Sequence, residues 1–317
     1  MMNAAPDQKS RLERLLEAGH FTVSAEVGPP MSASADFVRK KARSLVGIAD
    51  AANVTDNQTA MVRMSSVAAS VLCQQEGLEP VLQMTCRDRN RIAIQSDLLG
   101  AHALGLRNLL CLSGDHQAFG NHPQSKNVYD IDSIQLIKGI RELQEDSRFI
   151  SGSNCKNPPR FFLGAAANPF ADPEQLQYIR LHKKIEAGAR FIQTQCIYDV
   201  ERFARWMEYV RRHGLDKKTH ILAGLLVNKS VKSLEMTKQV AGMHVPDELV
   251  ERMKKASDPQ EEGVRIALDT IKGLQSIPGI SGVHIMAVGW ESIVPTIVEE
   301  AGFLPRPSLS EVEEANA

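Results

Sequence analysis

Glu26, Asp115 and Gln195 stand at the ends of short apolar runs that lie far apart in the chain. Glu26 is set inside Val23-Ser-Ala-Glu-Val27, where a bare charge is costly whether it faces a barrel interior or a helix layer. In a desolvated setting its carboxyl would keep its proton to higher pH, as a general acid working near neutrality must. Asp115 closes Asn108-Leu-Leu-Cys-Leu-Ser-Gly-Asp115, where an apolar run gives way to a small residue, a glycine and a carboxylate. Gly114 would let a flat ligand approach the backbone. Other run ends carry hydroxyls and amides: Thr55 and Asp56, Gln83 and Thr85, Ser113, Asn168, and Thr194 beside Gln195. Singly these have bland readings, with Thr55 bonding back to the chain, Gln195 capping a helix and Ser-Gly-Asp making a turn. Together they suit a polar heteroaromatic ligand with one proton donor beside it. The set has no His/Cys/Asp cluster with metal-ligand spacing and no Ser or Cys with an evident His partner. His116 and His122 flank a polar loop and read as surface residues.

The elements that would gather these residues follow one rhythm. Apolar runs at 21–27, 50–55, 80–86, 108–112, 161–167, 190–195, 220–227 and 282–288 each precede a helical pattern. Those patterns cover 34–46, 62–75, 91–104, 133–144, 173–187, 199–213, 231–241 and 291–301. Two more, at 246–256 and 259–275, form an insertion before the last strand. The expected fold is α/β, a (β/α)8 TIM barrel with extra helices before the last strand, in one domain over 1–317. Residues 1–19 are expected to form an N-terminal helical extension and 305–317 a flexible acidic tail. Closure leaves no sheet edge, and active residues collect at the C-terminal ends of the strands. An open doubly wound sheet competes, but no Gly-x-Gly-x-x-Gly turn follows the first strand.

Composition narrows the function classes. A net charge of -1, from 37 basic and 38 acidic residues, argues against an electrostatic nucleic-acid or membrane binder. Nothing approaches the roughly 20 apolar residues needed to span a bilayer, and residues 1–10 have no secretory signal character. The 5 cysteines show no C-x-x-C pairing, which fits a reducing cytoplasm and argues against a zinc or iron–sulfur site within the chain.

With these residues assembled, the chain resembles the methylenetetrahydrofolate reductases, over roughly residues 21–302. The resemblance is carried by Ser24-Ala-Glu-Val-Gly-Pro-Pro30, Asn53-Val-Thr55, Gln83-Met-Thr-Cys86 and Gly105-Leu-Arg-Asn-Leu-Leu-Cys-Leu-Ser-Gly-Asp115. Val128-Tyr-Asp-Ile-Asp132, Ala165-Ala-Ala-Asn-Pro169, Lys184-Ile-Glu-Ala-Gly-Ala189 and Thr194-Gln195 continue it in order. It implies FAD as hydride carrier and reduction of 5,10-methylenetetrahydrofolate to 5-methyltetrahydrofolate. Glu26 then matches the family's acid, Asp115 the carboxylate beside flavin and folate, and Gln195 the amide that orients the pterin. Thr55, Gln83, Ser113, Gly114, Asp115, Tyr129, Asn168 and Lys184 fall on FAD-contacting positions, with Lys184 a partner for the diphosphate.

The sequence also departs from that pattern. Gln83 stands where the best-known members have His, Ser113 where an Arg precedes Gly-Asp, and Asn168 where a Tyr occurs. Gly289-Trp290 replaces an Asn-Arg pair, and an aromatic near Val231 is missing. The Arg87-Asp-Arg-Asn90 and Tyr129-Asp-Ile-Asp132 segments resemble a branch found in anaerobes, some of whose members take electrons through a zinc and iron–sulfur partner subunit. Three readings follow: a reductase fed by NAD(P)H, the same chemistry fed by a partner subunit, and a non-redox pterin barrel for methyl transfer. The resemblance implies a homo-oligomer or a hetero-complex.

Overall fold

A computed structural model describes residues 9–240 and 242–309; the expected acidic tail falls largely outside the described residues. The first half of the chain runs Arg11–Glu17 (α1), Thr22–Val27 (β1), Ala35–Leu45 (α2), Ala51–Val54 (β2), Ser66–Gln75 (α3) and Pro80–Thr85 (β3). Arg91–Ala103 (α4), Asn108–Leu112 (β4), Ser133–Glu145 (α5), Phe162–Ala167 (β5) and Glu174–Ala187 (α6) follow. The second half continues with Phe191–Cys196 (β6), Val200–Arg212 (α7), His220–Leu226 (β7), Val231–Lys238 (α8) and Asp247–Lys255 (α9). Pro259–Gln275 (α10), Ile280–Met286 (β8) and Val294–Glu300 (α11) complete it. The eight strands pair in parallel, each with the next, and β8 returns to β1. The sheet is therefore a closed barrel, and the open-sheet alternative is excluded.

Local chemistry sets the helix starts. Ser34, Ser65, Asn90, Asp199 and Asp258 each accept a backbone N–H of the first helical turn. Asp132 with Gln135 and Ser230 with Ser233 complete reciprocal capping boxes. Three expected boundaries move. The third helix begins at Ser66 rather than near residue 62, because Met64 N–H bonds Pro30 O and Ser65 supplies the cap. The last strand begins two residues before the expected 282, since Ile280 pairs with Ile221 of β7. It ends at Met286, short of the expected 288, and the chain turns at Gly289 with φ +67°.

Strand side chains alternate between two environments. Val23, Ala25, Val27, Val54, Met84, Cys111, Ile192 and Ile285 join the shell between sheet and helices. The opposite parity fills the barrel in layers. At the bottom, Leu12 and Leu16 of α1 pack on Val81, Leu110, Phe162, Phe191 and Leu222 and plug the cylinder. Phe191 fits because Gly164 faces it; a Cβ there would lie 2.1 Å from the ring. Helix α8 and the two extra helices α9 and α10 form a satellite cluster with Tyr198, through Leu234, Val250, Met253 and Ile266. No described helix is long and apolar enough to cross a membrane.

Candidate active site at the barrel mouth

Above the apolar plug lies a buried polar layer. Asn53 and Gln193 exchange hydrogen bonds, Nδ2 to Oε1 at 2.6 Å and Nε2 to Oδ1 at 3.1 Å. Gln193 Nε2 also donates to Ser24 Oγ at 3.4 Å, and Ser24 Oγ lies 3.0 Å from His284 Nδ1. Burial lowers the His284 pKa to about 4, so the ring is neutral at physiological pH. This layer floors a cavity of about 320 Å³ at the C-terminal ends of the strands.

Glu26, Asp115 and Gln195 all line that cavity, from β1, the loop after β4 and β6. Glu26 is half-buried in the cavity wall. Burial raises its pKa to about 7, with Gln58 Nε2, 3.4 Å from Oε1, opposing the shift and the charge of Glu291 adding to it. Asp115 is exposed at the rim, where its Oδ2 accepts Thr59 N–H at 3.0 Å. Gln195 sits at a register shift between β6 and β7 that also fixes Thr194, whose hydroxyl accepts Gly224 N–H at 2.9 Å. The bulge presents Gln195 to the cavity as an exposed side chain.

Thr55, Gln83, Ser113 and Gly114 line the same space. The Thr55 hydroxyl is buried without a partner. Gly114 has φ +89°, and a Cβ there would meet Thr85 and Arg87 at 3.1 Å. Tyr129 sits on the rim, its hydroxyl donating to Gly114 O at 3.3 Å. Asp56 is committed to structure: it accepts both Thr85 N–H and Oγ1–H at 2.9 Å and a fork from Arg89. Asn168 and Lys184 do not reach the main cavity. They line a small neighbouring one with Arg180 and Trp206, and Ala166 is common to both. Lys184 Nζ donates to Ala166 O at 2.6 Å. Burial, then the charge of Arg180, lowers its pKa to about 8. Trp206 Nε1 in the same wall has no partner.

A profile of the family described as Methylenetetrahydrofolate reductase matches residues 11–302. The chain belongs to the methylenetetrahydrofolate reductase family. It is 27% identical over 257 residues to methylenetetrahydrofolate reductase 2 of Schizosaccharomyces pombe, covering 77% of this chain and 39% of that protein. It is 24% identical over 303 residues to the 5,10-methylenetetrahydrofolate reductase of Pectobacterium carotovorum, covering 90% of this chain and 92% of that one. The chain thus spans about two fifths of its yeast relatives and most of the bacterial one. A Clostridium thermocellum structure, described as binding two copies of 5-methyl-5,6,7,8-tetrahydrofolic acid, shares the fold, with a TM-score of 0.65 at 14% identity. That match covers 93% of this chain and 100% of the other.

In this methylenetetrahydrofolate reductase family barrel, sequence reasoning missed the floor: Ser24, Asn53, Gln193 and His284. The signal was present in part. Ser24, Asn53 and Gln193 each stand two residues before a mouth residue, Glu26, Thr55 and Gln195, so strand periodicity puts them on the same face one layer down. No group of three or more metal-ligating side chains occurs among the described residues.

Proposed function

We propose that this chain reduces 5,10-methylenetetrahydrofolate to 5-methyltetrahydrofolate with FAD as the hydride carrier. The observation that carries the reading is the meeting of Glu26, Asp115 and Gln195 on one cavity, with Glu26 protonated close to neutral pH. The residues present fit a flavin. The orphaned Thr55 hydroxyl, the Gln83 amide and the open backbone at Gly114 suit a polar flat ring. Lys184 lines a neighbouring cavity of only about 10 Å³, so its ammonium would serve an anionic tail by leaving Ala166 O. A bound flavin would supply the hydride.

The chain's own groups do the rest. Glu26 gives its proton to the amine nitrogen that leaves the methylene carbon, so the five-membered ring opens to an iminium. The Asp115 carboxylate, fixed by Thr59 N–H, stabilises that cation. Gln195 orients the pterin by its amide. The floor of amides and neutral imidazole holds these walls in register without adding a competing charge. All five cysteines are free and buried, which agrees with a cytoplasmic setting.

Two experiments test the reading. The purified protein should be yellow, absorbing near ~450 nm, because flavin chemistry requires that chromophore; a colourless protein that binds methyltetrahydrofolate would favour non-redox methyl transfer. Anaerobic mixing with NADH or NADPH then identifies the donor. Prompt bleaching supports NAD(P)H. A yellow protein that stays yellow supports a partner subunit, the second reading, which the Arg87-Asp-Arg-Asn90 and Tyr129-Asp-Ile-Asp132 segments suggest.

A further inference from the structure

Arg87 stands at the mouth two residues beyond the end of β3, yet only 2% of it is exposed. Its guanidinium touches three successive strand ends. Nε and Nη2 donate to the Asp88 carboxylate at 2.8 and 2.6 Å. Nη2 also donates to Asn57 O, after β2, at 3.2 Å, and Nη1 to Asp115 O, after β4, at 3.1 Å. The anchor is itself held, because Asn57 Nδ2 donates to Asp88 Oδ2 at 3.3 Å. The Arg87 backbone adds a further tie, its carbonyl accepting Val128 N–H at 2.8 Å. Above this fork the loops after β2 and β4 are closely joined. Thr59 N–H bonds the Asp115 carboxylate, Val62 N–H bonds Asn121, and Gly120 lies against Ala60 O, where a Cβ would sit 1.8 Å away.

A cation this close to a working carboxylate would ordinarily cancel its charge. Here the fork is turned away from that carboxylate. Its bidentate face is occupied by Asp88, and its hydrogen bond to Asp115 goes to the main-chain oxygen, not to the carboxylate. We propose that Arg87 is a positioning residue for Asp115: a rivet between the loops after β2 and β4 that fixes the carboxylate over the cavity without neutralising it. Lysine cannot replace it, since a single ammonium lacks the planar fork that spans Asp88, Asn57 O and Asp115 O together. The consequence for folate reduction rests on the function proposed above; the loop geometry does not.

The test uses the full chain carrying Arg87→Lys or Arg87→Ala. Hydrogen exchange at the Thr59 and Val128 amides, followed without substrate, should quicken in both variants while thermal unfolding stays a single transition. Reduction of methylenetetrahydrofolate should fall about 10–100-fold in kcat with a much smaller change in KM, the signature of a displaced reacting group. Millimolar guanidinium should restore Arg87→Ala, and methylammonium should not. Asp88→Asn, which keeps the guanidinium but loosens its anchor, should give the same pattern at smaller amplitude and serves if the Arg87 variants do not fold. Unchanged exchange at Thr59, turnover of Arg87→Lys within about twofold of wild type, or equal rescue by methylammonium would each overturn the proposal. Should the wild type itself not reduce methylenetetrahydrofolate, the function reading fails, and the exchange measurement still decides whether Arg87 joins the loops.

Discussion

Gln58 Nε2 lies 3.4 Å from Glu26 Oε1, and among the described residues this is the one hydrogen bond that the carboxyl receives. So long and lone a bond does not offset burial, and the Glu26 pKa rises from 4.5 to about 7. The acid thus keeps its proton, and stays neutral, because of its burial rather than because of a partner.

Glu26→Gln should keep bound flavin and lose folate reduction, with a fall of about 100-fold or more when a general acid is removed. Its stability should move the other way. A carboxyl with a raised folded pKa stabilises the fold below about 4.5 and loses that contribution as pH rises toward about 7. Glutamine has no charge to bury, so above pH 7 the variant should gain up to about 3 kcal/mol over wild type. Thermal melts between pH 5 and pH 8.5 and anaerobic reoxidation of the reduced protein by substrate check both arms. Normal turnover in this variant removes Glu26 from the mechanism.

Asp115→Asn keeps an oxygen for Thr59 N–H and deletes the charge. Substrate reduction should slow by about 100-fold, as for loss of one group that stabilises a developing charge. The flavin potential should rise, because a negative neighbour disfavours electron uptake. Potentiometric titration beside single-turnover kinetics separates the two effects, and an unchanged potential would place Asp115 away from the flavin.

Lys184→Met should weaken flavin binding by about 10–100-fold, the loss expected for one charge-assisted contact. The Lys184 pKa of about 8 sets the pH sign: wild-type affinity should decline as pH rises through 8 and the ammonium is lost, and Lys184→Met should show no such limb. Fluorescence titration of the apoprotein with FAD at several pH values measures this. Affinity independent of both the substitution and pH would remove Lys184 from the diphosphate site.

Leu12→Ala and Leu16→Ala remove buried side chains from the plug and should each cost about 2–5 kcal/mol. The mouth lies at the other end of the barrel, so the limb near pH 7 that Glu26 should give the pH–rate profile should stay in place. Denaturant unfolding and a pH–rate profile on the same samples are sufficient, and a shifted limb would mean that plug and mouth are coupled.

Much of this protein is written locally. Eight apolar runs alternating with capped helical patterns identify a barrel because burial on both faces, side-chain periodicity and cap chemistry act over a few residues. The strand-end rule then places Glu26, Thr55, Gln83, Asp115 and Gln195 at one mouth, and all five line the cavity there. What the tertiary structure alone decided depends on pairing between distant segments. The start of β8 follows from its register with β7, the exposure of Gln195 from a bulge between β6 and β7, and the separate cavity of Lys184 from the way α6 lies behind β5. The Asn53–Gln193 and Ser24–His284 bonds, and the reach of Arg87 across three loops, join residues between 28 and 260 positions apart, and no local preference encodes such a distance.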